Sequence, residues 1–591
     1  MMRCRAAACG AALLLAMTVA VAAPAVADHT DPREPLAPTD GAVVSGQTRG
    51  DGVWRHLANF PGLASPALTG GGTDLEFFRT GRSQRLFGSF GTLGQDQAGS
   101  VGQRIIRLVT ARGRVKPKWV ADHGSAHCAP ASTSVTGLQH DVQVGRHRGV
   151  TLLTDTTDAT GRCHDPGGGG IEIIDATNVQ RKKFEPREVH LVRFPGFSHT
   201  NTIDKRRPWI VYSSSSDFDG RPWIDVLNMR SCYGKKTLDL AQRRAKCAPK
   251  VYRINLQPEW TQQRDQTTGL PEPGSATCHD ITYHRKRLYC AAVNSTVILD
   301  VRKLVNKKGK VKGKPLPCRV VAGTGTGARV TDCAGMGKDR QEKAFGWRLV
   351  GFTQHPGRDC VPGQDNRSCN SNNMVRSDEG VAVSHEADPS HDRRFMFVTD
   401  ERGGGVVPPG SSCAPGIENP FGNGGAHAYD ISDPANIKYA TTPTGEKAVY
   451  ISDAVVAAET FCDIHVIEHL PGEQRLIAAY YTQGLKIVDY YVDGQGRLQF
   501  QERSSFLLPN TNAWVAEHFK IRDNPDGTRT YFFATNDIHR GVDLVSWTGR
   551  PNPIGAPPPP AKASMTNAGL AGGSAVLLGL AGLYRRRRRD A

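Results

Sequence analysis

Histidines recur along this chain, each beside a short run of residues that favours a β-strand. They are His140, His199, His279, His385, His465 and His518. About 20 to 45 residues after each histidine, an aspartate ends or lies in another short apolar strand. Imidazole nitrogens that meet at one point bind zinc, copper or iron. If the histidine strands come together in the fold, the six residues are candidate ligands of a divalent transition metal.

The same histidines also have a structural interpretation. Asp141, Asp280 and Glu386 directly follow three of them, and buried polar side chains of this kind hydrogen-bond backbone groups at packed interfaces. A metal needs three or four ligands, whereas packing uses one residue in each repeat. Repetition in nearly every repeat therefore favours a structural role, and metal binding stays the alternative.

Other chemical motifs are weak or missing from the sequence. Residues 217–220, Asp-Phe-Asp-Gly, resemble the start of a calcium loop but lack its later ligands, so a hairpin turn is predicted there. There is no Cys-x-x-Cys pair, no Gly-x-Ser-x-Gly and no phosphate loop. This favours a role without catalysis. If the chain is an enzyme, Glu386 or Glu517 is the candidate general base.

A repeated unit carries the fold prediction. Six short predicted strands combine apolar residues with an aspartate, and a seventh, at residues 102–107, has the apolar pattern without the aspartate. The six span residues 170–175, 223–226, 296–300, 426–430, 484–489 and 541–544. Each of the six follows another strand and, further upstream, a histidine strand, with a base period of about 50 residues. Four short strands per period predict an all-β fold, a seven-bladed β-propeller of four-stranded antiparallel blades, over residues 51–548. The longest step leaves open an eighth blade or an inserted subdomain between residues 301 and 380.

Composition agrees with this fold class and excludes others. The 591 residues are 38% hydrophobic and 22% charged, with 64 glycines and 37 prolines. That is too apolar for a disordered chain, and the long apolar runs lie only at the ends, which excludes a multi-span membrane protein. The net charge of +17 is dispersed and partly terminal, so no nucleic-acid partner is expected.

The two ends predict an exported protein. Residues 1–27 have basic residues, an apolar run and Ala25-Val26-Ala27 before a cleavage point, as signal peptides do. Residues 28–50 are interpreted as a linker. A Pro-rich spacer at 549–567 precedes an apolar tract with an arginine cluster at 568–591, which resembles bacterial C-terminal sorting signals. The expected location is extracellular, at the cell surface or membrane-anchored, through a tail that is either kept as an anchor or cut by a processing protease.

Cysteines fit an oxidising compartment. Two of the 14 lie in the predicted signal peptide, which leaves an even number. Cysteines that are close in sequence are expected to form disulfides that stabilise long loops, although their spacing alone does not fix the connectivity. The pairs are Cys232 with Cys247, Cys278 with Cys290, Cys318 with Cys333, and Cys360 with Cys369.

The repeats resemble a known family. Residues 484–489 (Gly-Leu-Lys-Ile-Val-Asp), 171–175 (Ile-Glu-Ile-Ile-Asp) and 430–434 (Asp-Ile-Ser-Asp-Pro) are similar to the LVIVD-repeat family of secreted bacterial β-propellers. That resemblance implies a propeller at the cell surface without an agreed activity. A more distant resemblance, to selenium-binding or methanethiol-oxidase-type propellers, implies an enzyme with histidine-held copper, but none of that family's copper motifs is matched here.

Two functions follow as expectations. The first is a surface-tethered propeller that binds a protein or a cell-wall glycan through its loops. The alternative is a metal-dependent oxidoreductase or hydrolase that uses the channel-lining histidines.

Overall fold

The described part of the chain forms seven sheets, which are antiparallel except for one parallel strand pair. The computed structural model describes residues 43–61, 72–80, 85–92, 102–111, 114–124, 140–157, 169–181, 184–194, 198–214, 223–256, 278–292, 295–323, 327–333, 344–355, 381, 383–401, 424–452 and 463–557. Two strands precede the first complete blade: β1 (Gln47–Gly50) and β2 (Val53–Phe60).

Blades 1 to 3 follow in chain order, each listed from its innermost strand outward. Blade 1 has β3 (Gly72–Thr80), β4 (Arg85–Thr92), β5 (Gly102–Ala111) and β6 (Arg114–Gly124). Blade 2 has β7 (Val142–His147), β8 (Val150–Thr157), β9 (Gly170–Asp175) and β10 (Arg187–Arg193). Blade 3 has β11 (Thr200–Ile203), β12 (Ile210–Ser214), β13 (Trp223–Asn228) and β14 (Lys250–Asn255), with α1 (Arg230–Tyr233) and α2 (Leu240–Lys246) between the last two strands.

Blades 4 and 5 surround the long insertion. Blade 4 has β15 (Asp280–His284), β16 (Arg287–Ala291), β17 (Ser295–Asp300) and β20 (Arg348–Gln354), and β18 (Arg319–Ala322) and β19 (Arg329–Asp332) lie before β20 in the chain. Blade 5 has β21 (Ser384–Pro389), β22 (Phe395–Asp400), β23 (Ala426–Asp430), β24 (Lys438–Tyr439) and β25 (Val449–Tyr450), with a 3-10 turn at Pro434–Asn436.

Blades 6 and 7 include the two N-terminal strands. Blade 6 has β26 (Ile467–His469), β27 (Arg475–Ala479), β28 (Leu485–Val492) and β29 (Leu498–Leu507), and β1 pairs with β29. Blade 7 has β30 (Ala513–Asp523), β31 (Arg529–Asp537) and β32 (Gly541–Gly549), and β2 is its outer strand. The chain therefore closes its own ring, because β2 comes from the N-terminus and the other three strands come from the C-terminus.

A buried polar cluster holds the ring closed where β2 meets β32. Asp543 accepts hydrogen bonds from the guanidinium of Arg540 at 2.8 and 2.9 Å, from Nε2 of His56 at 2.7 Å and from the amide of Asn59 at 2.8 Å. The His56 Nδ1 in turn accepts from the backbone N–H of Val44 at 2.9 Å. These hydrogen bonds and charges lower the pKa of Asp543 and satisfy a carboxylate that burial alone would make costly.

The core is divided among the blade interfaces. The buried apolar side chains of the described residues form seven clusters, and each cluster lies between two neighbouring blades. Both faces of a blade are thus buried, which explains why strands such as β8, β17 and β22 are buried at every position. The innermost strands pack against one another in chain order, and β30 packs against β3.

The predicted architecture is confirmed, with changes at its edges. The Asp-containing runs form the third strands β9, β13, β17, β23, β28 and β32, and the seventh run forms β5. The described part of the long insertion contains neither an eighth blade nor a separate subdomain. Instead β19 pairs in parallel with β10 and β18 pairs with β19, which gives the blade 2 sheet six strands. Strand β1 lies within the segment assigned to the linker.

Three of the four predicted disulfides are present. They join Cys232 to Cys247, Cys278 to Cys290 and Cys318 to Cys333. Cys360, Cys369 and the calcium-like turn at residues 217–220 lie outside the described residues, as do the predicted signal peptide and the C-terminal tail. Within the described ranges, no helix is long and apolar enough to cross a membrane.

Candidate metal centre in the channel

Five of the six predicted histidines lie where the innermost strands begin. His140, His199 and His279 each come one or two residues before their strands, His385 is the second residue of β21, and His465 precedes β26 by two residues. His518 differs, because it is the sixth residue of the long strand β30. Histidines of different blades are therefore brought to one end of the central channel, as the repeat predicted.

Four imidazoles form a row across consecutive blades. The ring centroids of His199 and His279 are 4.5 Å apart, those of His279 and His385 are 4.6 Å apart, and those of His385 and His465 are 4.0 Å apart. The row continues into blade 7, where the indole of Trp514 lies 4.2 Å from the His465 ring. We call the four histidines the imidazole row. Trp514 near the start of β30 occupies the place that a histidine has in blades 2 to 6.

The backbone carbonyl groups of four histidines connect neighbouring blades. The carbonyl oxygens of His140, His199, His279 and His465 each accept a hydrogen bond from a hydroxyl on the preceding blade; the donors are Thr73, Thr156, Ser214 with Thr200, and Thr399. Because the blade-to-blade bond uses the carbonyl, it persists when the side chain is changed. The structural interpretation therefore explains where the strands begin, and the side-chain hydrogen bonds of His140 and His465 also agree with it.

Glu401 brings a carboxylate to the imidazole row. It directly follows β22, and its backbone N–H donates to Val383 O on the neighbouring strand edge. Its two carboxylate oxygens lie 3.6 Å from Nε2 of His385 and 3.6 Å from Nε2 of His465. One donor atom each from His279, His385 and Glu401 all lie within 4.8 Å of one another. Two ligands at about 2.1 Å from a tetrahedral ion are about 3.4 Å apart, so small side-chain rotations suffice to close this group on a metal.

Hydrogen bonds fix the orientation of Glu401 and of the neighbouring His465. The Nδ1 of His465 lies 2.8 Å from the carbonyl oxygen of Trp514. A carbonyl only accepts, so Nδ1 carries the hydrogen and the Nε2 that faces Glu401 has the lone pair. The hydroxyl of Tyr481 donates to Glu401. Such outer partners of imidazole and carboxylate are typical of metal sites.

Burial makes Glu401 an unusual acid. Desolvation raises its pKa to about 8, against the opposing hydrogen bond from Tyr481. Burial and the nearby Glu401 also raise the pKa of Tyr481, which stays a neutral donor. The backbone of Tyr481 has a φ of 37°, which is strained for a residue other than glycine. A cation between the imidazoles and Glu401 would remove the cost of ionising this carboxyl group.

His140 and His518 are placed differently. His140 is fully buried, and its Nδ1 lies 2.9 Å from Asp155 in the same blade. His518 lies 2.6 Å from Glu468 of blade 6, and its side chain is 23% exposed. Neither is a member of the group formed by His279, His385 and Glu401.

Carboxylates of the inner strands connect neighbouring blades. Asp74 accepts from the backbone N–H of Val142, and Glu386 accepts from that of Ile467. Burial raises the pKa of Glu386 and that of Glu517, and other channel carboxylates add to both shifts. Glu386, a predicted general base, therefore has a clear structural role between blades 5 and 6.

A second group of possible ligands lies between blades 1 and 2. Donor atoms of His123, Glu172 and Glu188 are also within 4.8 Å of one another. Here the charges already balance, because His123 pairs with Glu172 at 2.8 Å and Glu188 pairs with Arg244 at 2.5 Å. Burial lowers the pKa of His123, but the charge of Glu172 and its neighbours outweighs this and raises it to about 9. This group is an ion-pair network.

The fold and the site define a seven-bladed β-propeller with an imidazole row in its channel. No protein-family model and no curated protein matches the chain, so the predicted LVIVD relationship stays a prediction.

Three solved structures are distantly similar to the chain. One is the β-propeller domain of Cps50 (Swd1) from Myceliophteria thermophila, with 11% identity, a TM-score of 0.38, and coverage of 82% of this chain and 98% of that one. Another is Sqt1 from Chaetomium thermophilum, with 8% identity, a TM-score of 0.32 and coverage of 84% and 86%. A third is the S. cerevisiae core factor, with 8% identity, a TM-score of 0.36 and coverage of 93% and 69%. Similarity at this level gives no argument about function.

Proposed function

We propose that this protein is an exported β-propeller that binds one divalent transition-metal ion at the end of its central channel. The observation that carries the proposal is the convergence of donor atoms from His279, His385 and Glu401 within 4.8 Å. His385 and Glu401 come from the β21–β22 hairpin of blade 5 and His279 comes from blade 4, so the packing of these two neighbouring blades brings the three residues together. All three side chains are buried, with Glu401 only 1% exposed.

The donor set fits a metal-dependent enzyme. Two imidazoles and one carboxylate are the ligands of many catalytic zinc sites and leave a fourth position for water or substrate. A bound ion would supply a polarised oxygen or an activated water at neutral pH. The protein holds His465 beside this position with its Nε2 directed at Glu401, and Trp514 and Tyr481 shield that side from solvent.

Calorimetric titration of the metal-free full chain with Zn²⁺ tests the proposal. Wild type should bind one ion, and His385→Ala should weaken binding by about a hundredfold or more, since even outer partners of ligands change affinity by 10 to 100-fold. His518→Ala is the matched control, because it removes a channel-strand imidazole outside the group, and it should bind as wild type does. Equal affinity in wild type and His385→Ala contradicts the proposal.

Surface display is part of the proposal and is supported by the sequence of the two ends. Residues 1–27 provide the export signal, and residues 568–591 provide the anchor or sorting tail. The three disulfides agree with an oxidising compartment. Protease treatment of intact cells should degrade the propeller, whereas a protected propeller would contradict this part.

A second candidate function is binding of an acidic cell-wall glycan, and a cleft on blade 7 favours it. The cleft has a volume of about 530 Å³, and its lining includes Arg55, Arg522, Asp526 and Phe532 together with Thr528, Thr530 and Thr548. The Arg522 guanidinium lies over the Phe532 ring. The hydroxyls, the aromatic ring and the two guanidinium groups, which outnumber the one carboxylate of Asp526, suit an anionic sugar polymer. Arg522→Ala should lose binding on an array of wall glycans and Lys438→Ala on blade 5 should keep it, while equal binding by both variants contradicts the cleft.

A further inference from the structure

The turns of blades 2, 4 and 5 at the end of the ring opposite the imidazole row carry basic residues. The row lies where the first strands begin, and the turns that join first to second strands lie where those first strands end. In blade 2 this turn is Arg148-Gly149, in blade 4 it is Arg285-Lys286, and in blade 5 it includes Arg393. Cations from three blades therefore lie at one end of the ring.

These basic residues have a backbone conformation that suits glycine or asparagine. The φ angles of Arg148, Arg285, Lys286 and Arg393 are 50°, 45°, 71° and 60°. In the described part of the chain six non-glycine residues have a positive φ, and these are four of them. Two-residue hairpins with this backbone favour Asn-Gly, and a larger side chain costs conformational energy. A solvated turn forms without this cost, which indicates that the positive charges themselves are used.

A basic segment on the connection after β17 lies at the same end. Residues 302–314 contain seven basic residues and no acidic one, and all seven side chains are exposed. The apolar residues of the segment are buried between blades 3 and 4 and hold it in place. Its tip packs on blade 3, where Trp209 Nε1 donates to the Gly309 carbonyl oxygen at 3.2 Å and Arg230 donates to that of Lys308. We call this segment, with Arg148, Arg285, Lys286 and Arg393, the basic face.

The charges of neighbouring blades act on the same side chains. Burial lowers the pKa of His284 to about 4, and the cations Arg285 of blade 4 and Arg393 of blade 5 add to this effect. Burial also lowers the pKa of His147, together with one arginine from blade 2 and one from blade 3. A continuous field of positive charge attracts anionic partners.

An exposed aromatic ring among the lysines indicates a lipid partner. Phe345 is 59% exposed, and its backbone N–H donates to the carbonyl oxygen of Lys312 at 3.1 Å. The next residue, Gly346, lies against the carbonyl oxygen of Lys303. Proteins that lie on a membrane combine basic residues, which attract anionic headgroups, with aromatic rings that enter the interface. A soluble polyanion has no apolar layer for the ring to enter.

The chain leaves the propeller at the same end of the ring. Beside the blade 6 turn between β26 and β27, the backbone N–H of Gln474 donates to the Asn552 carbonyl oxygen at 2.9 Å, and that of Asn552 donates to the Glu473 carboxylate at 2.8 Å. Residues 558–567 separate the described part of the chain from the apolar tract that begins at residue 568. A fully extended chain of this length spans about 36 Å at most. A tail in a membrane therefore keeps the basic face within reach of that membrane.

We propose that the basic face docks on the anionic lipid headgroups of the membrane that holds the C-terminal tail. The inference rests on the anchoring tail of the proposed function and adds the orientation of the propeller. Asp300 and Asp392 lie beside the basic face and offset only part of its charge. In this orientation the imidazole row lies at the end of the ring that is directed away from the membrane.

Hydrogen–deuterium exchange of the full chain in vesicles tests the docking. One set of vesicles is phosphatidylcholine alone, and the other is an equal mixture of phosphatidylcholine and phosphatidylglycerol. Residues 302–314 should exchange more slowly on the anionic vesicles than on the neutral ones, and high salt should remove the difference because it screens charge. Equal exchange on both vesicles overturns the inference.

A double variant, Arg285→Asn with Lys286→Gly, separates charge from folding. Asn-Gly is the preferred sequence of this turn, so the unfolding midpoint should be at least that of wild type. Its docking equilibrium constant, obtained from the protection, should fall about 25-fold, because each cation near an anionic membrane contributes about fivefold. The control, Arg49→Gln with Lys118→Gln, removes two exposed cations from the outer strands β1 and β6 and should dock as wild type does. Equal docking by the two double variants contradicts the basic face.

Two further variants complete the test. Lys307→Gln with Lys310→Gln removes two charges from the tip of the segment, should reduce docking by a similar factor, and decides the question if the turn variant is less stable than wild type. Phe345→Ser should weaken docking on anionic vesicles and leave the binding of soluble polyphosphate unchanged. Wild-type docking by Phe345→Ser, or equal protection of wild type by soluble polyphosphate, overturns the assignment to a lipid surface.

The outcomes separate this inference from the proposed function. A full chain that does not float with neutral vesicles contradicts the anchoring tail. In that case, protection of residues 302–314 on anionic vesicles still supports the basic face, and a lack of protection overturns it. None of these results bears on metal binding in the channel.

Discussion

Replacing Glu401 by glutamine should stabilise the metal-free protein and abolish its metal binding. Burial raises the pKa of Glu401 from 4.5 to about 8, so the folded chain must take up a proton when the pH is above 4.5. This uptake costs about 1.4 kcal/mol for each pH unit between 4.5 and 8, or about 3 kcal/mol at pH 7. Below pH 4.5 the cost vanishes, because folded and unfolded chains are then both protonated. Glutamine is neutral and can still accept the hydrogen bond from Tyr481.

Denaturant titration in the presence of a chelator measures this effect. The unfolding midpoint of Glu401→Gln should exceed that of wild type at pH 7, and the difference should shrink as the pH falls toward 4.5. In the same preparations, Zn²⁺ should raise the midpoint of wild type only, because a ligand that binds the folded state stabilises it. Tyr481→Phe is a control that keeps the carboxylate. A variant less stable than wild type at pH 7 would refute the reasoning, since it would show that the ionised carboxylate serves the fold.

Three further predictions concern the scaffold. Protonated His123 beside Glu172 contributes about 3 kcal/mol to the free energy of unfolding below pH 6.5, and this contribution is lost as the pH rises from 6.5 to about 9. In His123→Gln, the free energy of unfolding should therefore depend less on pH between 6.5 and 9. Changing both Cys278 and Cys290 to serine opens a loop of 12 residues and should lower the unfolding free energy by about 3 kcal/mol in denaturant titrations. Asp543→Asn leaves a buried guanidinium without its carboxylate and should cost about 4 kcal/mol, seen as a lower melting temperature, whereas an unchanged value would mean that this cluster does not hold the ring closed.

The sequence predicts the blades because their signals are local. Alternation of apolar residues and the aspartate in each third strand depend on a single strand and its turn, so they identify β9 or β28 without knowledge of the rest. The long insertion was not predictable in this way. Strands β18 and β19 reach blade 2, and the parallel pairing of β19 with β10 joins residues more than 130 positions apart.

The candidate site was predicted in part. The repeat predicts that histidines of successive blades converge, and four of them form the row. Glu401 and Trp514 were missed, because neither repeats from blade to blade. A signal for Glu401 exists: the β21–β22 hairpin pairs Ser384 with Asp400, so the residue that directly follows β22 must lie beside the start of β21 and near His385. Trp514 can be identified only if the first residue of β30, rather than His518, is aligned with the starts of the other inner strands.

Anomalous X-ray scattering from crystals of the zinc-loaded full chain, recorded on both sides of the zinc absorption edge, tests the central claim most directly. One strong anomalous peak is expected, about 2.0 to 2.2 Å from the donor atoms of His279, His385 and the Glu401 carboxylate. A fully loaded crystal whose only peak lies between His123 and Glu172, or on the outer surface of the blades, would contradict a metal centre in the channel.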